Sequence, residues 1–211
     1  MAIVIHYIAY ALGRLLYPIR GHDSRQIINS PAFVDLPEES IILEASECGH
    51  SGSSLEPQHT CLAEDGRGRL PELSWKTPSD IEVKEYIVTC EDLDAPIPLY
   101  IITHGLFFGI PATVTKIFHD DIEHDKDSAG RRTLSGWGYI PNMLGTPYIG
   151  AAAPLGHGAH RYVFTVIALN ESLHFDHPER VSKSQIKEAI VGKVTGWGQW
   201  IGTFERPWPH K

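Results

Sequence analysis

Cysteine is scarce, no basic cluster exists, and no apolar run is long, and each shortage closes off a class of protein. Three cysteines in 211 residues, Cys48, Cys61 and Cys90, are too few and odd in number for the disulfide framework of a secreted scaffold. Reduced thiols in a cytoplasmic protein are therefore expected, with a Cys48 to Cys61 bridge as the alternative. No segment reaches the roughly 20 apolar residues that a bilayer-spanning helix needs, so integral membrane association is not expected. Lys and Arg number 18 against 26 Asp and Glu, a formal net charge of -8. Such a surface repels phosphate backbones, which argues against nucleic acid as a partner. Repeats and low-complexity blocks are missing, as are a Gly-x-Ser-x-Gly elbow and any cysteine in a nucleophile motif. Gly156-His157-Gly158 and Gly196-Trp197-Gly198 lack the strand, spacing and helix of a dinucleotide fingerprint.

A chain of this length buries roughly 70% of its unfolded surface, so stability calls for neither metal nor cofactor, and none is expected. Histidine is plentiful, at 12 residues, so the net charge should become less negative as pH falls through the imidazole range. Ala2 to Tyr17 reads as an amphipathic helix whose face of Ile5, Ile8, Leu12, Leu15 and Leu16 packs on the domain. Membrane-surface contact and dimerisation are its alternative roles. Ala9-Tyr10-Ala11 imitates a cleavage site, but a basic start and a full apolar core are wanting for a signal peptide.

Many short strands joined by Gly- and Pro-rich turns should follow. Ile41 to Glu47 and Lys84 to Glu91 are strand-like, the second alternating Tyr86, Val88 and Cys90 with Glu85, Ile87 and Thr89. Tyr100 to Phe108 and Tyr162 to Ile167 are too continuously apolar to be half exposed and should be central strands. Ser182 and Gln185 form a capping-box pattern that predicts a helix over 182–194, followed by a Trp-rich strand from Thr195 to Glu205. Residues 120–151 show no periodicity. At their start, His119 to Asp125 is dense in metal-ligating types but fits neither a His-Glu-x-x-His helix nor a calcium loop, so a solvated acidic loop is expected.

The chemistry concentrates in two segments, Glu91-Asp92-Leu93-Asp94-Ala95-Pro96 with the downstream His104, and Gly156-His157-Gly158-Ala159-His160-Arg161-Tyr162. Asp92 and Asp94, two apart, point the same way on an extended strand. Paired carboxylates of this kind favour charged imidazoles nearby, leaving the second ring nitrogen of each histidine to donate to an anion. Taken singly, each residue is equally a turn cap or a satisfied core residue.

Together the two segments resemble the signature blocks of the phosphatidylethanolamine-binding protein (PEBP) family. The resemblance runs from about Ile41 to Arg206 and includes Ser51-Gly52-Ser53 and Leu70 to Trp75. It implies a mostly β fold, an antiparallel β-sandwich with a few peripheral helices including an N-terminal and a C-terminal one. The whole chain, 1–211, then forms one PEBP-like domain, with 1–30 a helical extension packed on it. The resemblance also implies one small pocket lined by Asp92, Asp94, His104, Pro154, His160 and Tyr162, with Tyr148 at its rim. Leu93 replaces a usual proline, Ala151-Ala152-Ala153 replaces glycine and proline, and Gly105 stands where an aromatic is common, which should open the pocket wall. The function expected first is binding of a small phosphate- or carboxylate-bearing molecule. The alternative is a fungal polyketide-pathway enzyme that assists cyclisation or dimerisation of maleic-anhydride units. In that case His104 or an Asp92/Asp94 carboxylate acts as base and His160 stabilises developing negative charge. A kinase or signalling regulator, acting without any cofactor, is the third reading; a homodimer is compatible with all three.

Overall fold

The structure, a computed structural model, describes residues 2–128, 130–206 and 208. In chain order its strands are β1 (Ile42–Ala45), β2 (Leu73–Lys76), β3 (Glu85–Asp92), β4 (Ile102–Pro111), β5 (Lys116–Ile117), β6 (Gly138–Ile140), β7 (His160–Leu169) and β8 (Val194–Phe204). Two α-helices, α1 (Ala2–Leu16) and α2 (Lys183–Ala189), join them. The strands form a three-stranded antiparallel sheet, β1-β2-β5, and a five-stranded antiparallel sheet, β6-β4-β3-β7-β8. The mostly β architecture is the one expected.

β3 and β7 lie at the centre of the larger sheet, which is why the apolar run of β7 shows no alternation and why β3 is buried at every position. On one face Val88, Cys90, Phe107, Tyr162, Phe164 and Trp200 meet Leu43, Leu73 and Trp75 of the smaller sheet. On the other, Ile87, Leu106, Ile167 and Trp197 are covered by α2 and by short 3₁₀ turns carrying Ile27 and Phe33. Burying both faces fixes the register, because a one-residue slip would exchange the two sets.

Three sequence expectations need correction. The capping box at Ser182 and Gln185 forms, but α2 ends at Ala189; Gly192 turns left-handed at φ 75° and Val194 pairs with Leu169, so the sheet claims residues that the periodicity gave to the helix. Within the unpatterned 120–151 stretch, β6 pairs with Leu106 to Phe108, a strand too short to carry a period. For α1 the error concerns its face. Ile5, Ile8, Leu12 and Leu15 are exposed and Leu16 is half-buried, whereas Gly13 is buried and His6 and Tyr10 are half-buried.

The reason is close approach. A Cβ at Gly13 would collide with the Leu155 carbonyl, and one at Gly156 would strike Tyr10. α1 therefore docks through backbone and small residues against the Pro154–Gly158 turn, where Gly156 adopts φ 80°. Among the described residues no helix is long and apolar enough to cross a membrane. The three cysteines are free thiols, so no Cys48–Cys61 bridge forms.

Candidate functional site

The site is assembled by one irregularity in the central sheet. Along β3 and β4, Glu91 pairs with Thr103 and Cys90 with Gly105, which leaves His104 without a partner in β3. A bulge of this kind re-aims one side chain. The His104 ring meets Tyr162 edge-on, with centroids 5.0 Å apart. Tyr162 is the cross-strand partner of Asp92, and His160, two residues earlier on β7, falls diagonally beside that carboxylate. The sheet thus brings Asp92, His104, His160 and Tyr162 together, all 4% exposed or less.

Hydrogen-bond geometry fixes most of the protons. His157 Nε2 lies 3.0 Å from the Leu16 carbonyl, which only accepts, so this nitrogen donates. With His157 neutral, as burial of its ring favours, its Nδ1 accepts from His160 Nε2–H at 2.7 Å. The remaining nitrogen of His160, Nδ1, faces both oxygens of Asp92 at 2.9 and 3.2 Å. One proton is therefore held between a buried imidazole and a buried carboxylate, and the chain of bonds ends on the last carbonyl of α1. Both nitrogens of His160 are committed within the protein.

His104 is arranged in the opposite sense. Its Nδ1–H donates to the Ile149 carbonyl at 2.9 Å, and burial holds its pKa below the usual imidazole range, so the ring is neutral near pH 7. Among the described residues no hydrogen bond of ordinary geometry reaches Nε2, and the Gly150 carbonyl, like that of Ile149, favours the charged form of the ring. Nε2 is an acceptor of protons, with the Asp92 carboxylate near enough to favour the charged form. Tyr162 Oη accepts from the Ala152 amide at 3.0 Å, and burial raises its pKa well above the usual value, so the hydroxyl keeps a proton to donate.

The other candidates fall around this group. Tyr148 is buried, with its hydroxyl against the Cys90 thiol, rather than standing at a rim. The space expected to open at Gly105 is occupied, because a Cβ there would lie 3.0 Å from the rings of both Tyr148 and Phe107. Pro154 is half-buried and supplies the carbonyl that turns the chain onto His157. Asp94 turns away from the histidines. It accepts from Gly21 N and from the Arg161 backbone N, Nε and Nη2. Although burial opposes its ionisation, the Arg161 bonds prevail and lower its pKa to about 2. Arg161 also bridges to Asp23, so Asp94 ties the β3 end to the segment following α1.

His157 and Arg161 both lie inside the Gly156–Tyr162 segment, and the three-residue spacing of His157 and His160 is the signal the sequence offers for the pair. In the acidic loop, His119 Nδ1 accepts from Leu70 N and Asp121 from Phe118 N.

A family model described as phosphatidylethanolamine-binding protein matches residues 45–205. The chain is 36% identical over 216 residues to phomoidride biosynthesis cluster protein B of Fungal sp. strain ATCC 74256, spanning all of both. It is 35% identical over 215 residues to the protein of the same name from Talaromyces stipitatus, covering 99% of this chain and 85% of that one. Among solved structures it is similar to Escherichia coli YbcL, described as a new member of the mammalian PEBP family, with TM-score 0.63, 24% identity, 80% of this chain and 99% of that chain covered.

Proposed function

The chain belongs to the phosphatidylethanolamine-binding protein family, and on that premise we propose that its buried histidine–aspartate site does acid–base work on a small anhydride or carboxylate intermediate of fungal secondary metabolism. The observation that carries this reading is the asymmetry of the two histidines. His160 spends both nitrogens inside the protein, while neutral His104, whose ring packs edge-on against Tyr162, keeps Nε2 free of any comparable bond. A site meant only to hold an anion would turn N–H donors toward it; this one turns a base. The name of the full-length relatives, phomoidride biosynthesis cluster protein B, supports the pathway class, maleidride formation from maleic-anhydride units.

In the proposed step the C–H bond next to an anhydride carbonyl breaks, its proton passes to His104 Nε2, and the electron pair remains as an enolate. The Tyr162 O–H donates to the enolate oxygen, and Asp92 offsets the charge gained by His104. His160 and His157 act through Asp92, by holding its carboxylate in place. Asp94 is assigned a positioning role, since Arg161 already saturates it. The free thiols fit the reducing, cytoplasmic setting expected from composition.

Holding a small oxyanion without turnover is the second reading, favoured by the uncommitted Tyr162 proton. Incubating the protein with maleic-anhydride monomers and following coupled product by mass spectrometry separates the two. A positioned base contributes roughly 10²- to 10⁴-fold, so His104→Gln should depress product formation about 100-fold or more while calorimetric affinity for dicarboxylates stays within a few-fold. Wild type no faster than buffer would remove the enzymatic reading and leave the binding one.

A further inference from the structure

A cleft of about 460 Å³ lies beside the sheet at the start of β4, within the size range of small-molecule sites. Its charged lining is Arg131, Arg180 and Lys183, and among the described residues that line it there is no carboxylate. In a chain whose acids outnumber its bases by eight, from 26 and 18, three cations on one concave surface is a local reversal of sign. Lys183 forms part of the floor. Its ammonium donates to Glu91 Oε1 at 2.5 Å and to Thr103 Oγ1 at 2.8 Å, so a strand pair of the rigid central sheet fixes it while one of its three donors stays uncommitted. Glu91 is fully buried and neutralises Lys183, and Glu179 lies 3.5 Å from Arg180 Nε on the exposed side. Arg131 makes no salt bridge with any described residue.

The remaining walls are mainly apolar, with Thr103, Asn142 and Ser182 as the polar residues among them. Tyr100, Ile140 and Met143 line the cleft, and the neighbouring Leu99 and Leu144 extend an exposed apolar rim; Tyr100, Met143, Leu99 and Leu144 are all more than half exposed. Leu99 is held at φ 60°, a left-handed conformation unfavourable for leucine and of the kind that persists at ligand clamps. Cations alone would suit an inorganic ion, and an apolar trough alone would suit a neutral chain. Their combination selects a molecule with an anionic head and an aliphatic tail.

We propose that this cleft is a second binding site, distinct from the histidine site, for a single-chain aliphatic carboxylate whose head meets Arg131, Arg180 and Lys183 and whose tail lies against Tyr100, Ile140 and Met143. Arginine offers the carboxylate a planar fork of donors, and the apolar rim takes the chain out of water. The site does not rest on the acid–base reading. Thr103 turns to Lys183 whereas the adjacent His104 turns to Ile149, so the two sites face away from each other on one strand.

Octanoate titrated into the full-length protein by calorimetry is the test, with acetate and octanol as the tailless and headless controls. Octanoate should bind saturably and more tightly than either control, and binding should weaken as salt rises. The Arg131→Gln/Arg180→Gln double variant should weaken octanoate roughly 10-fold or more, as loss of charge-assisted bonds implies, and leave octanol unchanged. His104→Gln should bind octanoate like wild type. Absence of saturable binding, an unchanged affinity in the double variant, or a loss caused by His104→Gln instead would overturn the proposal.

Discussion

Which nitrogen of each buried histidine carries a proton decides what the site can do, and a backbone carbonyl makes the decision in both cases. The Leu16 carbonyl sets His157 and, through it, His160; the Ile149 carbonyl sets His104. Removing His157 leaves the His160 Nε2–H buried without an acceptor, which costs about 1–3 kcal/mol. His157→Ala should lower the urea midpoint accordingly, and His157→Gln, able to accept through its amide oxygen, should recover part of it. Equal stability of wild type and His157→Ala would show that the bond contributes nothing. At this scale the sequence was only partly legible. The Asp-x-Asp-Ala-Pro and Gly-x-His-Arg-Tyr patterns, with the downstream histidine, pointed to Asp92, His104, His160 and Tyr162, which the structure brings together. They were silent on direction: Asp94 looked equivalent to Asp92 until Arg161, the neighbour of His160, turned out to hold it away from the histidines.

Elements were recognised where periodicity or a cap marked them, and misjudged where contact with another element determined the outcome. The buried run of β7 and the capping box of α2 were readable; the early end of α2 was set by pairing of Val194 with Leu169. The bulge that aims His104 arises from register between β3 and β4, which no single segment encodes. α1 is the clearest case, since a rule that buries the apolar face chose the wrong side of a helix whose docking depends on Gly13. Gly13→Leu should force α1 off the Leu155 carbonyl and disturb the bond from His157 to Leu16. Overpacking of this kind costs about 1–3 kcal/mol, a fall in Tm of roughly 2–4 °C per kcal/mol at this size. Leu12→Ala, on the exposed face, should change Tm little. If the two variants behave alike, the docking described for α1 is wrong.

Over the whole molecule, burial lowers the pKa values of His59, His104, His119 and His157 below the unfolded imidazole value of about 6.5. A group whose folded pKa is depressed contributes stability that is present above its unfolded pKa and lost as pH falls through the folded one. Asp94, lowered to about 2, adds a loss that begins as pH falls through the usual carboxylate range and is complete below about 2. Glu85, raised by burial, works in the opposite sense and is stabilising only when protonated. Four histidines against one glutamate set the direction in the acid range, so the urea midpoint should be level between about pH 7 and 8 and fall as pH drops below about 6.5. A midpoint that rises between pH 7 and pH 5 would contradict the burial-driven assignments. The measurement that bears most directly on the account is the ¹⁵N spectrum of the protein labelled at histidine, recorded at pH 7. The account predicts a neutral His104 with the proton on Nδ1 and a bare Nε2, while His157 carries its proton on Nε2. A His104 that is doubly protonated, or that carries its single proton on Nε2, would contradict it, because the site would then present a donor where the proposed chemistry needs a base.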